Sequence, residues 1–151
     1  MKLAFYKAKY GDKLDKAISF LSHGEFSHCE LIFPGYDNVA FSSSYRDNGV
    51  RFKQIDFNPD RWEIIDLAKT IRVSEQETAN WCQCQVGCKY DIIGAILQIS
   101  FYNNRWYCSE ICSTILQYFS YIPLKRTTIS PTKLYYKVNN FCGCFKMPAD
   151  R

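Results

Sequence analysis

The spacing of apolar positions divides the chain into two halves of different texture. In the first, short apolar runs over residues 3–8, 29–33, 39–44, 50–57 and 62–67 read as strands. Pro34-Gly35, Asp47-Asn48-Gly49 and Asn58-Pro59 separate several of them, and tight turns at this spacing predict an antiparallel sheet. Between the first two runs lies 12–22, where Leu14, Ala17, Ile18 and Leu21 recur at helical spacing. The second half is helical. Ser74, with Glu77 three residues on, forms a capping box opening a helix toward Cys84. Asp91 is placed to cap a helix over 92–99. Residues 108–122 carry the clearest stripe, Ile111, Ile115, Phe119 and Ile122, with Cys112 and Leu116 beside it. Ser130-Pro131 opens a last helix bearing Leu134 and Val138. No repeat, low-complexity block or linker interrupts this order. Residues 1–151 therefore read as a single α+β domain, a curved antiparallel sheet packed against helices.

Composition adds to this picture mainly through its aromatics. A chain of 151 residues with 47% hydrophobic and 23% charged content is ordinary for one core. Eleven Tyr, eleven Phe and three Trp are not ordinary, and predict a heavily packed core with some rings left to line a groove. Tyr6, Tyr36, Tyr102 and Trp106 are candidates for such a cleft, although no spacing assigns them. The net charge of +4 is interspersed except beyond Tyr121, where Lys125, Arg126, Lys133, Lys137, Lys146 and Arg151 face only Asp150. Without a dense Lys/Arg run this reads as a solvated basic end, and no nucleic-acid partner is expected. Residues 1–10 turn polar after a few apolar positions and lack the long apolar stretch of an export signal. The longest apolar run, 92–101, is broken by Gln98 and Ser100 and is too short to cross a bilayer. A cytoplasmic protein without a transmembrane segment, or one carried with a phage or virion, is expected, with most of its eight cysteines as free thiols.

Two short segments carry candidate chemistry. In Trp106-Tyr107-Cys108-Ser109-Glu110, the cysteine opens the apolar helix, where unsatisfied N–H groups and the helix dipole favour a thiolate. Alone, Cys108 also fits a small core residue, as Cys112 does one turn later. In Phe26-Ser27-His28-Cys29-Glu30, strand alternation puts His28, Glu30 and Ile32 on one face and Cys29, Leu31 and Phe33 on the other. An imidazole and a carboxylate on an otherwise apolar strand are costly unless paired or functional. Alone, His28 also fits an exposed strand edge, and His23 reads as a surface residue. A histidine beside a thiol can deprotonate it and later protonate a leaving group. A competing zinc site from Cys82, Cys84, Cys88, Cys142 and Cys144 lacks the usual knuckle spacing, so neither metal nor cofactor is expected.

The order of these motifs resembles the permuted branch of the NlpC/P60 (papain-like) cysteine hydrolase superfamily, which includes YiiX/YaeF-like proteins and a poxvirus relative. Ser27-His28 opens a strand, and Tyr107-Cys108-Ser109-Glu110 opens a later helix; in the unpermuted enzymes the cysteine helix comes first. Gly87-Cys88-Lys89-Tyr90-Asp91, Tyr45-Arg46-Asp47-Asn48-Gly49-Val50-Arg51 and Ser130-Pro131-Thr132-Lys133-Leu134 resemble further stretches of that family, from His28 to Leu134. The resemblance implies a permuted papain-like fold with Cys108 as nucleophile and His28 as general base. It places the Tyr90 hydroxyl and the Cys108 backbone N–H near a developing oxyanion. Relatives carry a polar or acidic orienter on the strand after the histidine; here that stretch is Ser42-Ser43-Ser44, with Ser42 the best match. Glu30, on the histidine's own face, is favoured over Ser42 as the orienter because it supplies charge. The expected activity is that of an amidase, endopeptidase or acyl-ester or thioester hydrolase on a peptide or acyl substrate. The alternative is a catalytically weak or inactive papain-like binding module of virus or phage type with a host-protein partner.

Overall fold

The computed structural model describes residues 1–67, 74–100, 104–125 and 127–144, with Cys144 described by its backbone alone. The first half yields β1 (Lys2–Lys7), α1 (Lys13–Ser22), β2 (Phe26–Phe33), β3 (Val39–Ser44), β4 (Gly49–Lys53) and β5 (Trp62–Asp66). The second half yields α2 (Glu75–Gln85), β6 (Lys89–Tyr90), α3 (Ile92–Leu97), β7 (Arg105–Trp106), α4 (Cys108–Tyr118) and α5 (Pro131–Cys144). The architecture is α+β. One seven-stranded sheet has the order β5-β1-β2-β3-β4-β6-β7. All its pairs are antiparallel except β6 with β7, which run parallel. The wholly antiparallel sheet expected from the pattern is thus corrected at one edge, because two-residue strands are too short to show a period.

The core lies between the sheet and the helices of the second half. Leu3, Phe5, Cys29, Leu31, Phe33 and Phe41 from the sheet meet Ile111, Cys112, Ile115 and Leu116 of α4 and Leu134 and Val138 of α5. Eight consecutive residues of β2 are buried, as befits an interior strand covered on both faces. A register irregularity opposite Tyr6 and Lys7 lets Phe26 and Cys29, three positions apart, both enter this core. A smaller cluster, Ile18, Tyr90, Ala95 and Tyr107, adjoins the start of α4.

The helix ends follow their side chains. Asp12 caps α1 in a capping box with Asp15, and Ser74 caps α2 in one with Glu77. The Asp91 carboxylate accepts from the Gly94 N–H at 2.8 Å and opens α3. In α1 the expected inward stripe is displaced: Asp15 and Ile18 are buried while Leu21 is 49% exposed. The Asp15 carboxylate can sit inside because it accepts from the Asp12 N–H, the Ser27 hydroxyl and the Arg46 guanidinium. Strand β4 and helices α3 and α4 each end earlier than the apolar pattern suggested, although Ile122 beyond α4 is still buried. No described helix is long and apolar enough to cross a membrane.

One glycine fixes where the sheet's far edge joins. Gly49 has φ +142°, and a Cβ there would stand 2.0 Å from the Cys88 carbonyl oxygen. That close approach lets Val50 donate to the Cys88 carbonyl at 2.8 Å and Gly87 to the Val50 carbonyl at 3.1 Å. β6, and with it Tyr90, is thereby held beside β4.

Candidate active site

His28 and Glu30, two positions apart on β2, project to one face as alternation requires, and the imidazole Nε2 lies 2.7 Å from Glu30 Oε1. Glu30 has no exposed surface. Its carboxylate also takes a forked contact from Arg51, Nη2 to Oε1 at 2.6 Å and Nη1 to Oε2 at 2.8 Å. Arg51 in turn donates through Nε to Asp47 at 2.8 Å, and Asp47 accepts from Lys53 at 2.6 Å. The β3–β4 pairing sets Arg51 opposite Ser42, one strand beyond Glu30, within reach of a long side chain.

Cys108 is the first residue of α4, after the extended Tyr107. Its thiol lies 3.9 Å from the Ser27 carbonyl, with His28 and Cys29 close enough to shift its titration. With Nε2 turned to Glu30, Nδ1 is the ring nitrogen left for the sulfur. The electrostatics favour an ion pair. The thiol of Cys29, donating to the Cys108 sulfur, leads in holding Cys108 well below the usual thiol range; burial opposes this, and His28 adds to the lowering. Burial alone would lower His28, but the charges of Cys108 and Glu30 overcome it and raise the imidazole from 6.5 to about 10. Burial likewise works against an ionised Glu30, yet His28 and Arg51 keep its carboxyl below its ordinary value. These shifts favour thiolate with imidazolium over the neutral pair, beside a carboxylate and a guanidinium.

Tyr90, on β6, is buried edge-on to Tyr45 with ring centroids 6.0 Å apart. Burial and the nearby charges of Cys108 and Asp15 push its hydroxyl well above the ordinary value, so it remains protonated and able to donate. Two cavities open beside His28. One of about 340 Å³ is lined by Tyr6, Tyr10, Gly11, Asp12, His28, Arg46 and Trp62. The other, about 260 Å³, shares His28, Arg46 and Trp62 and adds Glu30, Asp47, Arg51 and Lys53 among its walls. Cys108 lines neither and is only 2% exposed.

No family model and no curated protein matches the chain. Among solved structures it is similar to the crystal structure of the metalloprotein yiiX from Escherichia coli O157:H7, DUF1105. The TM-score is 0.56 at 16% identity, over 78% of this chain and 64% of that one. The fold is yiiX-like. The chain spans less than two thirds of yiiX, so the likeness concerns architecture alone.

Within this yiiX-like fold His28 stands between Cys108 and Glu30, Tyr90 is buried near enough to feel the charge of Cys108, and Ser42 is engaged elsewhere. The Ser42 hydroxyl donates to the Cys29 carbonyl at 2.7 Å, so the imidazole nitrogen is met by Glu30 and not by Ser42. Ser43 donates to the Trp106 carbonyl at 2.6 Å, tying β3 to the segment just before Cys108. Of the aromatic candidates, Tyr6 stacks on Trp62 at 5.0 Å beside His28. Tyr36 instead packs on Phe33, and Trp106 is half-buried against Trp81; Tyr102 lies outside the described residues. His28 is buried, not at an edge, whereas His23 is exposed in the left-handed position that ends α1.

Sequence reasoning missed Arg51 as a partner of the site and Cys29 as a neighbour of Cys108. The Asp47-Asn48-Gly49 turn carried the signal for the first, since the hairpin register it fixes sets Arg51 opposite Ser42. Cys29 had none, because strict alternation turns it away from His28. Cys82 is buried and Cys84 exposed on the same helix. Among the described residues no three His, Cys, Asp or Glu side chains are grouped to hold a metal ion.

Proposed function

We propose that this protein is a cysteine-dependent hydrolase acting on an amide, ester or thioester through an acyl-enzyme at Cys108. The observation that carries the reading is the Cys108 thiol against His28, whose other nitrogen is held by the buried Glu30–Arg51 pair. In this reading the thiolate attacks the substrate carbonyl, and the imidazolium of His28 gives its proton to the leaving group. His28 then takes a proton from water, the hydroxide attacks the acyl carbon, and the thiolate departs. Glu30 keeps the ring oriented and stabilises its charged form. The Tyr90 hydroxyl and the Cys108 backbone N–H are the donors for the oxyanion. The yiiX-like fold, with the histidine strand before the cysteine helix, supports a permuted NlpC/P60 arrangement. Neighbouring yiiX is described as a metalloprotein; among the described residues of this chain no three His, Cys, Asp or Glu side chains are grouped to hold an ion.

A second reading is favoured by one observation, the enclosure of Cys108 at 2% exposure. It is a papain-like binding module of virus or phage type that engages a host protein without turnover. Electrophilic probes built on vinyl sulfones and activated acyl esters separate the two. Covalent labelling at Cys108, abolished in Cys108→Ala and weakened in His28→Ala, is expected of the hydrolase. If Cys108 reacts no faster than the core thiol Cys112 in folded protein, the hydrolase reading fails and the binding module stands.

A further inference from the structure

The thiol of Cys108 has a second thiol against it that the hydrolytic chemistry does not use. Cys29 and Cys108 share one buried cluster, and the Cys108 sulfur rests on the backbone of β2 at that point. It lies 3.9 Å from the Ser27 carbonyl, accepts from the Cys29 backbone N–H, and contacts the Cys29 side chain. Alternation sets Cys29 with Leu31 and Phe33 on the face that meets α4, and the register irregularity beyond His28 brings Phe26 to that same face. Cys112 touches Cys29 from one turn further along the same helix.

We propose that Cys108 is an oxidation site for small hydroperoxides and that Cys29 is its resolving partner, the two closing a reversible disulfide between β2 and the start of α4. This rests on Cys108 being the reactive thiol of the proposed function, and adds to it a role for Cys29. In the first step the Cys108 thiolate attacks one peroxide oxygen and the O–O bond breaks. The departing alkoxide or hydroxide takes the imidazolium proton of His28, leaving a sulfenic acid on Cys108. In the second step the Cys29 sulfur attacks the Cys108 sulfur, the S–O bond breaks, and the hydroxide leaves as water with the Cys29 proton. The two sulfurs together lose two electrons and the peroxide gains them.

The two thiols are unequal in the way such a sequence requires. Burial pushes the Cys29 thiol up, while its S–H donation and His28 pull Cys108 down. Only Cys108 therefore meets the oxidant as a thiolate. The disulfide would withdraw the nucleophile and shield it from irreversible sulfinic oxidation.

The test uses the whole chain, unmodified, treated with hydrogen peroxide in slight excess, then digested without reduction and mapped by mass. A peptide pair joined through Cys29 and Cys108, released by dithiothreitol, is expected. In Cys29→Ser and Cys29→Ala the link should be absent and Cys108 should gain two oxygens instead. Sulfinic acid on Cys108 of the wild-type chain without a link to Cys29 would overturn the proposal, as would a link to Cys112 or no oxidation. Iodoacetamide labelling of the untreated chain reports the reactive thiol separately. Rapid labelling at Cys108 with no disulfide sinks only this inference, whereas slow labelling counts against the hydrolase as well.

Discussion

Glu30 illustrates what a buried charge demands. A carboxylate with no exposed surface stands between an imidazole and a guanidinium, and each bond to it replaces hydration lost on burial. Removing one partner leaves the charge uncompensated, which typically costs about 3–5 kcal/mol. Arg51→Met is expected to lose stability on that scale in urea unfolding, and Glu30→Gln in the same background should recover part of it. A full-strength fold in Arg51→Met alone would contradict the pairing. His28 gives a pH prediction. Its folded value of about 10 lies above its ordinary 6.5, so its contribution to stability is complete below about 6.5 and is lost as pH rises through about 10. Cys108 works in the opposite sense, its contribution being lost as pH falls through its depressed folded value. In Cys108→Ala the thiolate's charge is gone, so the His28 ring should titrate below its wild-type value by NMR. An unmoved titration would separate the two side chains. The only other histidine, His23, provides an internal control.

Among the elements, those with a period or a cap were readable from sequence, and those made by distant contacts were not. The Ser74 and Asp91 caps, the α4 stripe and strand β3 follow from local side-chain chemistry and occur where the pattern places them. Glu30 was legible because strand alternation puts it on the face of His28. Arg51 was not, since its contact crosses a strand and depends on hairpin register. Strands β6 and β7 are held by Gly49 and by parallel pairing between remote segments, which no local window contains. Cys29 escaped because alternation sets it on the face away from His28, and only the packing of α4 against β2 brings Cys108 near both. Gly49→Ala tests the joint at β6. A methyl group against the Cys88 carbonyl, at a φ few side chains adopt, should cost on the order of 1–3 kcal/mol. It should also raise amide exchange at Val50 and Gly87 selectively; exchange rising evenly over the whole sheet would mean that β6 is not joined there.

For the whole molecule, the question is how anything reaches Cys108. The thiol is enclosed by the core on one side and by the cluster of Ile18, Tyr90, Ala95 and Tyr107 on the other. Helix α1 supplies Ile18, and its Asp15 is bound to Ser27 of β2 and to Arg46 beyond β3. An outward movement of α1 is the opening these contacts resist. Alkylation of Cys108 should therefore reach a ceiling as iodoacetamide concentration rises, set by the opening rate. Arg46→Ala, which leaves the buried Asp15 carboxylate to the Asp12 N–H and the Ser27 hydroxyl, should raise Cys108 labelling at least about fivefold while leaving Cys112 unlabelled. A rate that stays linear in reagent, unchanged by Arg46→Ala, would place the entry route elsewhere.

The row of alternating charges from Cys108 through His28, Glu30, Arg51 and Asp47 to Lys53 has a consequence for folding as well as for chemistry. Pairing β4 with β3 one residue out of step would turn Arg51 to the opposite face and strand Glu30 in a dry interior. The same slip would separate the stacked rings of Phe41 and Phe52. Polar and apolar contacts thus specify one alignment of the hairpin between them. Glu30 and Arg51 consequently answer to two constraints, and Cys108 to one. A descendant that abandoned hydrolysis could exchange its cysteine for another small core residue, yet would still have to keep the carboxylate and the guanidinium for its strands to find their alignment.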